Sequence, residues 1–142
     1  MSASQSKIKL NHIGVAVQHM PEMQKLFQIL GLTVTHSEEV PDQKVMTHFL
    51  PLPNPAPAIE FLEATAPDST IAQFIQKRGP GVHHLSFEVQ KGSLEPLLVK
   101  LKSSGYRLIY ETPRVGAHDM RINFLHPSSC GGILIEIMEP AK

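Results

Sequence analysis

The sequence predicts an α+β fold made of two tandem βαβββ modules. Two observations carry it. Leu10–Val17 (LNHIGVAV) lines up with Val82–Val89 (VHHLSFEV), and Ala58–Glu63 (AIEFLE) lines up with Leu134–Glu139 (LIEIME). Between these anchors each half runs through the same order of apolar patterns, strand, helix and then three strands. Two copies of this length are too long for solenoid repeats, which run roughly 20–50 residues, and point to a duplicated domain with a pseudo-twofold.

The elements follow in order. Residues 8–18 alternate and carry β-branched side chains, as a strand does. Pro21 suits a first helical turn, and Met23, Leu26, Phe27 and Leu30 fall at i, i+3, i+4 and i+7, predicting a helix with one buried face. Gly31 stops it as a C′ glycine. Leu32–Thr35 reads as a short strand, Val45–Leu50 as another and Ala58–Glu63 as a third. Pro51, Pro53, Pro55 and Pro57 cannot donate to a ladder, so the stretch between the last two strands is a loop or a covered edge.

In the second half, residues 82–90 form the first strand. Ser93 is positioned to cap a helix whose Leu94, Leu97, Leu98 and Leu101 repeat the helical spacing, and Gly105 ends it as Gly31 does. Tyr106–Tyr110, Arg121–Leu125 and Ile133–Met138 supply three more strands. Between the copies, Asp68 or Ser69 starts a short helix with Ile71, Phe74 and Ile75 buried, closed by Gly79-Pro80-Gly81. The expected layout is a single domain over residues 8–139, with module one at 8–64, a linker helix at 68–78 and module two at 82–139.

Composition narrows the function. With 142 residues, 42% hydrophobic and 18% charged, the chain reads as one soluble globular domain. Thirteen basic residues balance thirteen acidic ones, so no whole-chain field draws it to nucleic acid or to an anionic membrane. No apolar run approaches the ~20 residues of a membrane span, and the first residues lack the apolar core of a signal peptide. The lone Cys130 cannot form an internal disulfide, so a reducing, cytoplasmic setting is expected. Beside Gly131-Gly132 and without a patterned His, Cys130 reads as a turn residue rather than a nucleophile.

Each copy brings one His and one Glu to a matched strand position: His12 and Glu60, then His84 and Glu136. Alternation turns Glu60 away from Ile59 and Phe61, and Glu136 away from Ile135 and Ile137. Such acids face water or line a polar cavity. Recurrence of both residue types at matched places favours a shared 2-His, 2-Glu metal site. Two imidazoles and two carboxylates suit Co, Mn, Ni, Fe or Zn with room for water, and fit a closed structural zinc poorly.

These residues lie in stretches that resemble the vicinal oxygen chelate (glyoxalase) superfamily and, within it, the methylmalonyl-CoA epimerases. The motifs are Asn11–Val17 (NHIGVAV), Ala66–Ile75 (APDSTIAQFI), Gly79–Leu85 (GPGVHHL), Glu111–Ala117 (ETPRVGA), Phe124–Pro127 (FLHP) and Gly131–Glu136 (GGILIE), from about residue 8 to 139. The resemblance implies a mixed sheet curled into an open, metal-holding cleft and a divalent transition metal held by His12, Glu60, His84 and Glu136. In part of the family the second of these ligands is Gln. It further implies proton transfer alpha to an acyl-CoA thioester through a metal-stabilised enolate, with Glu136 as the catalytic carboxylate, and a homodimer.

Some members of the family carry a second Glu where this chain has Thr47. A hydroxyl is a poor proton carrier, and alternation aims the adjacent His48 at the opposite face. His83 points away from His84 by the same rule. His126 before Pro127 reads as a turn residue, and His118 lies in a loop able to close over a ligand. Lys77, Arg78, Arg114 and Arg121 are cations able to meet coenzyme A phosphates. Two other functions suit the superfamily: a glyoxalase I-like isomerase (lactoylglutathione lyase), using the same metal set, and a metal-free small-molecule binding protein. An extradiol dioxygenase, with two His and one Glu on iron, fits the four-residue set less well.

Overall fold

A computed structural model of the chain describes residues 7–142. They divide into two compact units, residues 12–83 and residues 84–142 together with the described residues up to Asn11.

In the first unit, β1 (Lys9–Ala16) runs into α1 (Met20–Ile29), followed by β2 (His36–Val40), β3 (Val45–Leu50), β4 (Ala58–Ala64) and α2 (Thr70–Arg78). β2 pairs antiparallel with β3 and β3 antiparallel with β4, while β1 lies parallel to β4, with Gly14 opposite Glu60. One face carries Phe61, Leu50, Val17 and Met20, and α1 covers it with Met23 and Phe27. The helix is turned from the expected orientation, leaving Leu26 and Leu30 exposed. Met20, Met23 and Phe27 form its buried stripe, because the helix begins one residue before Pro21 and Met20 anchors its first turn. The other face carries Ala16, Val45 and Leu62 under Ile71 of α2, with Phe74 and Ile75 packed alongside. Ser69 caps α2 by accepting from the Ala72 amide at 3.0 Å, as the sequence suggests.

The second unit repeats the plan. β5 (Gly81–Glu88) leads to α3 (Leu94–Ser103), then β6 (Arg114–Val115), β7 (Met120–Leu125) and β8 (Leu134–Pro140). Pairing is β6 with β7 and β7 with β8, both antiparallel, and β5 parallel with β8, Ser86 standing opposite Glu136. α3 buries Leu94 and Leu98 against Val89 and Ile137.

Both α1 and α3 end in the same capping motif. After α1, the Gly31 amide donates to Gln28 O at 3.0 Å and Leu32 to Phe27 O at 2.8 Å. After α3, Gly105 donates to Lys102 O and Tyr106 to Leu101 O, each at 3.1 Å. The glycines sit at φ +84° and +98°, the left-handed region this Schellman closure needs.

Three local expectations are corrected. The strand expected at Leu32–Thr35 lies at His36–Val40; Thr35 makes only a single backbone bond to Phe49 before regular pairing begins. Tyr106–Tyr110 is not a continuous strand. It holds one bridge, Leu108 to Leu125, and the Asn123 side chain replaces the next rung, accepting from Tyr110 N at 3.1 Å and donating to Tyr110 O at 2.9 Å. Ser93 does not cap α3 with its side chain. Glu139 of β8 does so, one carboxylate oxygen accepting from the amides of Gly92 and Leu94, each at 2.9 Å. The buried carboxylate satisfies the first amide of the helix, Leu94, and that of Gly92 just before it, at the positive end of the helix.

Candidate functional site

Each unit presents one of the expected His–Glu pairs, and parallel pairing explains why. In the first, β1 and β4 are in register so that His12 and Glu60 lie on one face, with Gly14 opposite Glu60. His12 Nε2 stands 3.8 Å from Glu60 Oε1. In the second, the same pairing of β5 with β8 brings His84 Nε2 to 3.4 Å from Glu136 Oε1, and the small Ser86 occupies the position matching Gly14. All four residues are buried, none more than 6% exposed.

Two imidazoles and two carboxylates are donor types that bind divalent transition metals. At 3.8 Å the first pair is too far apart for a direct hydrogen bond, and at 3.4 Å the second is long for one. Two donors each about 2.1 Å from one ion, at 90–110° to each other, stand roughly 3.0–3.5 Å apart. Donor type and burial in each unit therefore fit a divalent transition metal; the 3.4 Å spacing of the second pair falls in this range, and the 3.8 Å of the first lies slightly beyond it.

Around Glu136 the second unit is apolar. Met120, Ile122 and Met138 form a cluster with Phe124 beside it, and the buried Ser86 hydroxyl lies 3.0 Å from Met138 Sδ. Phe124 meets the His84 ring edge-on, centroids 6.0 Å apart at 90°. Sequence patterning missed this ring as a neighbour of the site. The signal was available: Phe124 pairs with Glu136 across β7 and β8 as Phe49 pairs with Glu60 across β3 and β4.

The other candidates fall as follows. Thr47 is buried on the Glu60 face, and its hydroxyl donates to Glu38 O at 2.9 Å. His48 points to the opposite face of an unbroken strand, its Nε2 3.1 Å from Glu63 Oε1 and its Nδ1 2.9 Å from Ser37 Oγ. The His83 ring packs edge-on against Phe74, with centroids 5.0 Å apart. His126 caps a short turn, its Nδ1 accepting from Ser128 N at 3.1 Å, and Cys130 ends that turn. His118 adopts φ +59° in the turn before β7. Of the cations, Arg121 is engaged by Glu139 at 2.9 Å and Glu95 at 2.8 Å, carboxylates that raise its pKa further, Glu95 most. Arg114 lies over the Tyr110 ring, 4.0 Å from its centroid.

Comparison with known proteins accords with this arrangement. Residues 11–124 match the model of the Glyoxalase/Bleomycin resistance protein/Dioxygenase superfamily. The human mitochondrial methylmalonyl-CoA epimerase is 34% identical over 131 residues, covering 91% of this chain and 72% of that protein. The crystal structure of methylmalonyl-CoA epimerase from Mycobacterium tuberculosis matches with a TM-score of 0.89 at 37% identity, covering 98% of this chain and 93% of that one. A variant of the Streptomyces coelicolor methylmalonyl-CoA epimerase, in complex with 2-nitronate-propionyl-CoA, matches with a TM-score of 0.87 at 29% identity, covering 96% of each chain. The chain therefore has the α+β glyoxalase fold, belongs to the Glyoxalase/Bleomycin resistance protein/Dioxygenase superfamily, and is an isomerase resembling the epimerases within it.

Proposed function

We propose that the protein epimerises methylmalonyl-CoA by removing and returning the proton alpha to the thioester, with His12, Glu60, His84 and Glu136 together holding one divalent transition metal (Co, Mn, Ni, Zn or Fe). The observation that carries the reading is a buried His–Glu pair repeated in each unit of a chain whose relatives include several methylmalonyl-CoA epimerases. When bound, the cation supplies positive charge beside the thioester oxygen, where negative charge develops as the proton leaves.

The residues of the chain account for the remainder. The Glu136 carboxylate takes the alpha proton on one face of the substrate, and inversion of the centre requires a second proton carrier on the opposite face. The cluster of Met120, Ile122, Met138 and Phe124 keeps water from that carboxylate, which strengthens every electrostatic contact there. Thr47 carries no proton, because its hydroxyl is committed to a backbone carbonyl. His48 carries none either, because it faces the other side of β3. The lone Cys130 suits a reducing cytoplasm, and the family resemblance suits a homodimer, which light scattering on the eluting protein tests.

Incubation with one methylmalonyl-CoA epimer in deuterated water, with cobalt or manganese added, is expected to wash deuterium into the alpha position and scramble the centre. Absence of exchange under those conditions rules the activity out. Turnover of the methylglyoxal–glutathione hemithioacetal without exchange of the acyl-CoA favours a glyoxalase instead.

A further inference from the structure

An acyl-CoA carries phosphates far from its thioester, and we propose that Arg114 binds one of them; the inference rests on the acyl-CoA reading above. Arg114 stands opposite Ile122 across β6 and β7, and Ile122 stands opposite Met138 on β8. Directly opposed residues share a face, so Arg114 lies on the face that carries Glu136 and His84, at its edge strand. An unbroken row of ring contacts joins it to the site. The guanidinium lies 4.0 Å from the Tyr110 centroid, Tyr110 meets Phe124 at 6.0 Å, and Phe124 meets His84 at 6.0 Å.

Stacking decides what Arg114 can do. The guanidinium carbon sits 4.0 Å from the Tyr110 ring centroid, and a guanidinium seated on a ring keeps its N–H donors for other partners. Among the described residues no carboxylate pairs with it, in contrast to Arg121, which Glu95 and Glu139 occupy. An exposed guanidinium seated on a ring, with no carboxylate partner among the described residues, suits bidentate binding of a phosphate. Two side chains, Tyr110 and Phe124, separate it from His84, so it lies out along the substrate rather than at the reacting carbon. Tyr110 is itself fixed by the two Asn123 amide bonds to its backbone, so the ring has a defined place.

The test compares two thioesters of the same acyl group, methylmalonyl-CoA and methylmalonyl-pantetheine, which lacks phosphates. Arg114→Gln is expected to cut the preference in kcat/KM for the CoA thioester about tenfold, the size of one lost charge-assisted contact. Tyr110→Leu should cut it less and Tyr110→Phe should restore it, since the ring alone does the holding. A preference that stays at its wild-type value in Arg114→Gln overturns the proposal, whether both thioesters weaken together, as they do if Arg114 grips the malonyl carboxylate, or neither does. Calorimetry with desulfo-coenzyme A gives an independent reading: binding about tenfold weaker in Arg114→Gln supports the phosphate contact, and equal binding overturns it. If the wild-type protein exchanges no alpha proton, the epimerase reading fails alone, and the desulfo-coenzyme A result still decides the role of Arg114.

Discussion

Glu136 and His84 sit 3.4 Å apart yet are expected to fail differently when changed. On the proposed reading, Glu136→Gln keeps a coordinating oxygen and loses the base, so metal is expected to stay bound while exchange collapses. His84→Ala removes a ligand, so metal content falls along with exchange. Elemental analysis beside the deuterium assay separates them; a Glu136→Gln protein that is metal-loaded and still exchanges shows the base to be another residue. Thr47→Ala is expected to leave exchange within about twofold, because a hydroxyl bonded to Glu38 O does little proton transfer at neutral pH. Glu139 is a different kind of buried acid. Its carboxylate caps α3 and holds Arg121, so Glu139→Ala should lower stability by about 2–4 kcal/mol in urea titration, and Glu139→Gln, which retains the accepting oxygen, by less.

At the scale of elements, the two Schellman closures make matched predictions. A Cβ on Gly31 or Gly105 meets no atom within 4 Å, so Gly31→Ala and Gly105→Ala cost only the left-handed backbone, roughly 1–2 kcal/mol each. Circular dichroism melts should show similar drops for both, and additivity in the double variant, since the glycines end different helices in different units. The start of α2 has its own electrostatic tie. Lys44 hydrogen-bonds Asp68 and holds its carboxyl below the ordinary 3.8. A depressed carboxylate stabilises the fold above its unfolded pKa, and that contribution is lost as pH falls through the lower folded value. Asp68→Asn should remove this acid-side dependence and otherwise matter little, because the pair is exposed and screened.

For the whole molecule, the proposed metal site links metal to stability. A ligand at one hundred times its Kd adds roughly 2.7 kcal/mol to the folded state, which is several degrees of Tm. Chelator-treated protein should lose exchange, and cobalt or manganese should restore the exchange and raise Tm. In His84→Ala neither recovery is expected. A Tm that ignores added metal in the wild-type protein counts against the four-residue site.

Duplication and periodicity were enough to read the two modules, the three helices, most strands and the repeated His and Glu. A period of 2 or 3.6 is a local property, so it survives without knowledge of packing. The opposed directions of Thr47 and His48 also followed from alternation, and the unbroken register of β3 on β4 keeps it so. What local pattern could not decide was which long-range partner wins. α1 turned to bury Met20 rather than Leu26 and Leu30, since contact with the sheet selects the buried stripe. Glu139 reached back 45 residues to cap α3 in place of the adjacent Ser93. Asn123 replaced a strand rung at Tyr110, and Tyr110 in turn gave Arg114 its seat. Each is a contact between residues distant in sequence, where burial and hydrogen-bond satisfaction outweigh intrinsic preference.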